Sequence, residues 1–275
     1  MRKIVILLLI LYTAASAREL ELPVPPDTMR VPARRAAYIM EHFWDALGPA
    51  DTVAVRDAEF MEQNLANFFS LAPHAAQADM AHAVRSFVAR VAADGEAAEL
   101  VWRLSEKYLS EPASPVFSED VFYIVAKAMR EICAPGLAQR DYIDYRLALM
   151  EKNRPGTRAA DFEFVDRDGA PRTFFASLRP DAETMLVFFD PDCDDCHALA
   201  AKLEEEGTGG RAVVMITPHE TDMQLWQQYA STLPQEWTVG YSPGGRIDAD
   251  ELYYVPQFPT VCLIGPGAIV LDRPF

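Results

Sequence analysis

Long apolar runs, cysteine and basic charge are all scarce in this 275-residue chain. Four cysteines are too few for a disulfide scaffold, the usual support of a small secreted domain without a large core. Only 25 Lys and Arg face 41 Asp and Glu, giving a formal charge of −16. That deficit argues against nucleic acid as a partner, because phosphate binding needs basic surface. It argues equally against docking on an anionic membrane, and its plainest consequence is solubility. Low-complexity stretches are missing too, and half the residues are hydrophobic, so a packed globular protein of one large or two ordinary domains is expected.

The one strongly apolar run, Ile4 to Tyr12, is too short to span a bilayer as a stable helix. Arg2 and Lys3 precede it, and Ala15-Ser16-Ala17 offers a small-residue cleavage site, so residues 1–17 read as a secretory signal. No cysteine follows at the cleavage point to carry a lipid, and no stable membrane anchor is expected after cleavage. The expected destination is the periplasm, an oxidising compartment in which disulfides persist.

A Pro-rich lead-in (Pro23, Pro25, Pro26, Pro32) opens the mature chain. From Val31 to about Asn153 apolar residues recur at spacings of three and four, which predicts helices near 33–47, 57–72, 77–93, 96–110, 118–133 and 139–152. Gly48-Pro49, Ala72-Pro73, Asp94-Gly95, the Pro112–Pro115 segment and Pro135-Gly136 punctuate them. Ser118, ahead of Glu119 and Asp120, has the form of an N-cap with acids in the first turn. This all-α region, residues 18–154, holds no motif with a mechanism. His42, His74 and His82 share no ligand spacing and read as helix-face residues, and Cys133 reads as a small buried hydrophobe. Asn153-Arg154-Pro155-Gly156 is the linker candidate.

After Gly156 the texture changes. Phe162-Glu163-Phe164-Val165 and Arg172-Thr173-Phe174-Phe175 alternate like the strands of a hairpin turned at Asp166–Gly169. Strands follow at 184–189, 212–216, 237–240, 261–264 and 268–272, with helices after Cys193, at 222–231 and at 248–254. Strand–helix alternation closed by an antiparallel hairpin at Gly265-Pro266-Gly267 predicts an α/β domain over 155–275 with a mixed sheet and flanking helices.

The chemistry concentrates in Phe188-Phe189-Asp190-Pro191-Asp192-Cys193-Asp194-Asp195-Cys196-His197. A strand enters this stretch and a helix leaves it. Cys193 therefore falls at a helix N-terminus, where unpaired N–H groups favour a thiolate, and Cys196 lies one turn further on. A redox dithiol, half of a metal site and a structural disulfide all remain open at this spacing.

This stretch, together with Phe258-Pro259-Thr260 before the penultimate strand, resembles the exported thioredoxin-like thiol–disulfide oxidoreductases over about residues 156–275, including their extra hairpin from Asp161-Phe162 onward. The resemblance implies a thioredoxin-like mixed sheet preceded by an all-α domain. It implies Cys193 as nucleophile, Cys196 as resolving thiol, and a cis Pro259 that with Phe258 and Thr260 holds the substrate chain as an added strand. No cofactor is implied beyond the redox-active Cys193–Cys196 disulfide. The implied partners are disulfide-containing protein substrates and an upstream electron donor in the cell envelope. Arg35-Ala36-Ala37-Tyr38-Ile39-Met40-Glu41-His42-Phe43-Trp44-Asp45 resembles a domain of unknown function that precedes such domains in Bacteroidetes envelope proteins.

The chain departs from that family in several places. Asp192 replaces the usual tryptophan before the first cysteine, and Asp194-Asp195 replaces Gly-Pro between the two. Val187 stands where a buried carboxylate is common, leaving Asp195, His197 or Glu251 to move the proton. The chain ends at Phe275 without the family's closing helix. Asp190, Asp192, Asp194 and Asp195 disfavour a thiolate and so favour the disulfide, the mark of a reductant; His197, if protonated, offsets part of this. The bland reading of the acids is helix capping. Cys262, three residues after Pro259, reads as buried and inert. Two other classes stand beside the redox reading. One is a metal-binding or metal-delivery module using Cys193, Cys196 and His197. The other is a non-enzymatic envelope protein whose helical half binds a partner.

Overall fold

The computed structural model describes residues 19–48, 51–133 and 138–273. The expected signal at 1–17, the punctuation at Pro49 and Pro135-Gly136, and the chain end at Phe275 lie outside the described residues. The chain divides into two compact units, residues 1–134 and 135–275.

The first unit is helical: α1 (Pro32–His42), α2 (Thr52–Arg56), α3 (Ala58–Ser70), α4 (Gln77–Val91), α5 (Gly95–Leu109) and α6 (Glu119–Ile132). Side-chain caps fix four of the starts. Asp51, Asp57, Asp94 and Ser118 each accept an amide from their own first turn, which removes orphan N–H groups. Heptad-like apolar spacing becomes a core of Phe43, Trp44, Leu65, Phe68, Val84 and Phe87, with Trp44 stacked on Phe87 at 4.2 Å between centroids. Among the expected histidines, His42 pairs with Asp45 at 2.7 Å. Cys133 is half-buried at the end of α6 rather than buried, because the helix stops there and the chain turns to extended backbone.

The second unit begins with α7 (Ala138–Met150), which falls in this unit although the expected boundary lies after it. Residues 153–156 are stitched into the same unit instead of running free as a linker. Asn153 donates to Leu252 O and accepts from Ala160 N, and Gly156 N donates to Val270 O at 2.7 Å. The hairpin of β1 (Glu163–Asp166) and β2 (Pro171–Thr173) follows. Phe174 and Phe175 do not extend β2. Thr173 accepts the Ala176 amide and caps a one-turn helix, α8 (Phe174–Ser177). The chain continues as β3 (Thr184–Phe188), α9 (Asp194–Glu206), β4 (Ala212–Thr217), α10 (Met223–Thr232) and β5 (Thr238–Tyr241). The last elements are α11 (Arg246–Ala249), β6 (Thr260–Gly265) and β7 (Ile269–Asp272). The helix expected over 248–254 is α11 instead. Ser242 Oγ accepts the Ile247 amide and starts it early, and Glu251, at φ 48°, lies past its end.

The seven strands form one sheet in the order β2-β1-β5-β4-β3-β6-β7. Strands β3, β4 and β5 are parallel, β1 and β6 run antiparallel to them, and the edge strands β2 and β7 pair antiparallel with β1 and β6. Alternation along the central strands splits the core by face. Leu186, Phe188, Val214, Ile216 and Cys262 pack with Phe162, Phe164, Phe174 and Tyr253. Val187, Phe189, Val213 and Met215 pack on the other side with Cys196, Ala200 and Trp226 from α9 and α10. Among the described residues no helix is long and apolar enough to cross a membrane.

Candidate active site

The parallel strands β3 and β4 pair through Phe188 and Ile216 and both run out at the same edge of the sheet. Loops at the carboxyl ends of adjacent parallel strands converge, so the segments leaving β3 and β4 meet at that edge. From β3 comes the 189–193 loop, which delivers Cys193 as the N-cap of α9. Its sulfur accepts the Cys196 amide at 3.2 Å, the position of a capping oxygen, so Cys193 sits in the positive end of the helix. The same sulfur lies 3.5 Å from Phe258 O, to which its S–H donates. The Phe258–Pro259 peptide bond is cis. Thr260 begins β6, fully buried, with its hydroxyl donating to Gln257 O at 2.6 Å, and Phe258 and Pro259 are half-buried beside it.

The two thiols differ in environment. Cys193 is half-buried, while Cys196 is sealed in the core under it and hydrogen-bonds to its sulfur. Burial pushes the Cys196 thiol well above its ordinary pKa, the bond to Cys193 pushes the same way, and the Asp190 backbone N–H on its sulfur pulls back. Cys262 is buried on the opposite face of the sheet, and that burial pushes its thiol up to about 12.

Asp192, Asp194 and Asp195 are exposed around the dithiol, the last two in the first turn of α9. His197 turns back on the loop: Nε2 lies 2.9 Å from Pro191 O and the ring lies 4.2 Å from that of Tyr229. The sequence pattern carries no signal for Tyr229. It is pushed up to about 12 by burial and by the two nearby thiols, and its hydroxyl is buried without a partner. Glu251 is taken up by the Tyr145 hydroxyl at 2.5 Å and lies near Lys152. None of Asp195, His197 and Glu251 hydrogen-bonds to Cys196. Among the described residues no group of three His, Cys, Asp or Glu is arranged to hold a metal ion, so the Cys193, Cys196 and His197 set does not converge as a ligand set.

Sequence spacing also gives no sign of His219, from the loop after β4. Its Nε2 lies 3.1 Å from Asp190 Oδ2, and its ring lies 5.0 Å from that of Phe258. Gly245, at φ 60°, packs its backbone against this loop so closely that a Cβ there would sit 2.7 Å from Glu220 N.

The family described as a domain of unknown function, DUF5106, matches residues 11–153. A thioredoxin-like protein from Bacteroides caccae has 26% identity, covers 93% of this chain and 94% of its own, and superimposes with a TM-score of 0.77. A conserved protein of unknown function from Bacteroides fragilis matches at 31% identity over 44% of this chain and 90% of its own, with a TM-score of 0.38. The thioredoxin domain of a thiol–disulfide oxidoreductase from Bacteroides vulgatus matches at 13% identity over 44% of this chain and 88% of its own, again at 0.38. No curated protein matches the chain. The fold is thioredoxin-like, a mixed sheet with flanking helices behind a helical N-terminal region.

Proposed function

This chain belongs to the DUF5106 family, and from the dithiol that follows the family domain we propose that it is an exported thiol–disulfide oxidoreductase acting as a reductase on protein disulfides in the cell envelope. One observation carries the reading: a half-buried sulfur at the N-cap of α9, with a second thiol buried one turn beneath it. An attacking thiol needs access and a field that favours its thiolate, whereas a resolving thiol needs shelter until its turn.

The thiolate of Cys193 attacks one sulfur of a substrate disulfide, and the other leaves as a thiolate. Cys196 then loses its proton and attacks Cys193. A Cys193–Cys196 disulfide forms, the substrate's remaining sulfur leaves with the electron pair, and the dithiol has supplied two electrons. The nearness of Phe258 O to the Cys193 sulfur supports the reading that an extended substrate chain pairs there as an added strand. An upstream donor in the envelope restores the dithiol. The acids at 192, 194 and 195 support the reducing direction, since charge that disfavours the thiolate stabilises the oxidised form.

Equilibration of the Cys193–Cys196 couple in dithiothreitol or glutathione buffers, read by alkylation and mass, tests the proposal. A midpoint below about −230 mV fits a reductase, and one above about −180 mV assigns an oxidase or isomerase instead.

A further inference from the structure

Three segments frame the groove at the Cys193 sulfur: the loop after β3, the loop after β4, and the run that ends in Phe258 and Pro259. Cys193 Sγ and Phe258 O, 3.5 Å apart, join the first to the third. His219 joins the second to both, its ring 5.0 Å from that of Phe258 and its Nε2 3.1 Å from Asp190 Oδ2. Charge around this groove has one sign. Asp192, Asp194 and Asp195 are exposed beside the sulfur and Glu220 is exposed on the second loop. Among the described residues none of these four forms an ion pair. The third segment, from Leu252 to Pro259, carries no charge at all. Helix capping does not account for the four acids, since Cys193 itself caps α9 and Glu220 belongs to another segment.

The cations that could balance them are engaged elsewhere. Between Arg179 and Arg273 the sequence holds only Lys202, Arg211 and Arg246 as Lys or Arg. Each has its own acid: Lys202 lies 4.0 Å from Glu206, Arg211 2.9 Å from Glu183, and Arg246 3.0 Å from Asp250. Arg211 also precedes β4, at the opposite edge of the sheet from the dithiol. His197 and His219 direct Nε2 at Pro191 O and at Asp190.

We propose that the substrates of this dithiol are polypeptide disulfides flanked by Lys or Arg, selected by the uncompensated carboxylates around the groove. The inference rests on the oxidoreductase reading and adds no step to the exchange, in which the dithiol gives two electrons to the substrate disulfide. Cys193 and Phe258 set where a chain lies, and the acids set which chain is welcome. Basic residues beside the substrate disulfide meet opposite charge there, while acidic ones are repelled, and the net charge of −16 repels acidic chains from further away. A basic segment also neutralises the carboxylates that oppose a thiolate at Cys193, so the favoured substrate strengthens its own attacker.

The test uses reduced protein freed of reductant, in single turnovers at pH 8, where histidine is ordinarily neutral. Three peptides of otherwise one sequence carry an internal disulfide flanked on both sides by Lys, Gln or Glu. Each rate constant is divided by that of the same peptide with dithiothreitol in the same salt, which removes the effect of flanking charge on the disulfide itself. At about 0.01 M salt the Lys peptide is expected to react at least about tenfold faster than the Glu peptide, with Gln between them. The ratio is expected to fall toward one at about 1 M salt, where charges are screened within about 3 Å. Replacing Asp192, Asp194 and Asp195 together by Asn is expected to collapse the ratio, and Glu220→Gln, which leaves α9 untouched, to lower it. Both peptides meet the same thiol, so a general change in its reactivity cancels from the ratio. Equal rates for the Lys and Glu peptides at low salt overturn the proposal, and so does a preference that high salt and both variants leave in place. A wild type that reduces none of the three peptides, all of which dithiothreitol reduces, overturns the oxidoreductase reading itself, and this inference with it.

Discussion

The sulfur of Cys193 takes the Cys196 amide at 3.2 Å, so the nucleophile of the proposed reaction is also the cap of the helix that carries its partner. A serine here keeps an acceptor for that amide and removes the redox chemistry. Cys193→Ser is accordingly expected to fold, to lose all reduction of a disulfide peptide, and to form no adduct. Cys196→Ser is expected to trap a mixed disulfide at Cys193, visible by intact mass and released by dithiothreitol. A stable adduct on Cys193→Ser instead would place the attack on another thiol.

The buried and half-buried thiols are expected to separate by reactivity. Alkylation requires the thiolate, and burial raises both Cys196 and Cys262, the latter to about 12. Raising the pKa of a thiol empties its thiolate state at any pH below that value. Native protein treated with iodoacetamide at pH 8 is expected to label Cys193 well before Cys196 or Cys262. Peptide mass mapping over a time course gives the order, and early labelling of Cys262 would contradict its place in the sheet core.

Local rules made much of this architecture legible. Ser118 caps α6 as its spacing with Glu119 and Asp120 indicated, and alternation along β3 sends Leu186 and Val187 to opposite faces. The dithiol stood out because its chemistry is contiguous in sequence. The features that escaped are those that tertiary structure assembles. Asp190 and His219 belong to different loops, joined only because β3 and β4 are parallel and in register. The usable signal was positional: each residue comes shortly after the end of its strand, Asp190 two after Phe188 and His219 two after Thr217. Errors in α8 and α11 arose where one hydroxyl, Thr173 or Ser242, outweighed an apolar pattern.

Asp166 gives the second unit an acid-sensitive stability term. Its side chain is about nine-tenths buried, accepts the amides of Asp168 and Ala170, and meets Arg172 Nε at 2.8 Å. Burial pulls its pKa up, but Arg172 and the two amides together hold it below the ordinary value. A depressed carboxyl contributes fully above the unfolded pKa, about 4, and loses that contribution as pH falls through the folded value. Asp166→Ala leaves the two amides short of a partner and is expected to cost about 1–3 kcal/mol at pH 7. The deficit against wild type should shrink below pH 4 in denaturant melts, and a deficit independent of pH would assign the loss to packing alone.

The acids inside the dithiol set the last expectation. Asp194 and Asp195 occupy the first turn of α9, where negative charge is favourable to the helix in either redox state. A thiolate can form at Cys193 only in the reduced state, so their repulsion acts on that state alone, and the difference appears in the potential. Replacing Asp194-Asp195 by Gly-Pro removes two charges from beside the sulfur and is expected to raise the midpoint. A tenfold change in the equilibrium constant corresponds to about 30 mV, and the shift should be at least of that order. It should also shrink in high salt for the wild type, because charges this exposed are screened by mobile ions. A substituted protein with an unmoved midpoint would reduce the aspartates to helix caps and take away the physical basis for a reducing direction.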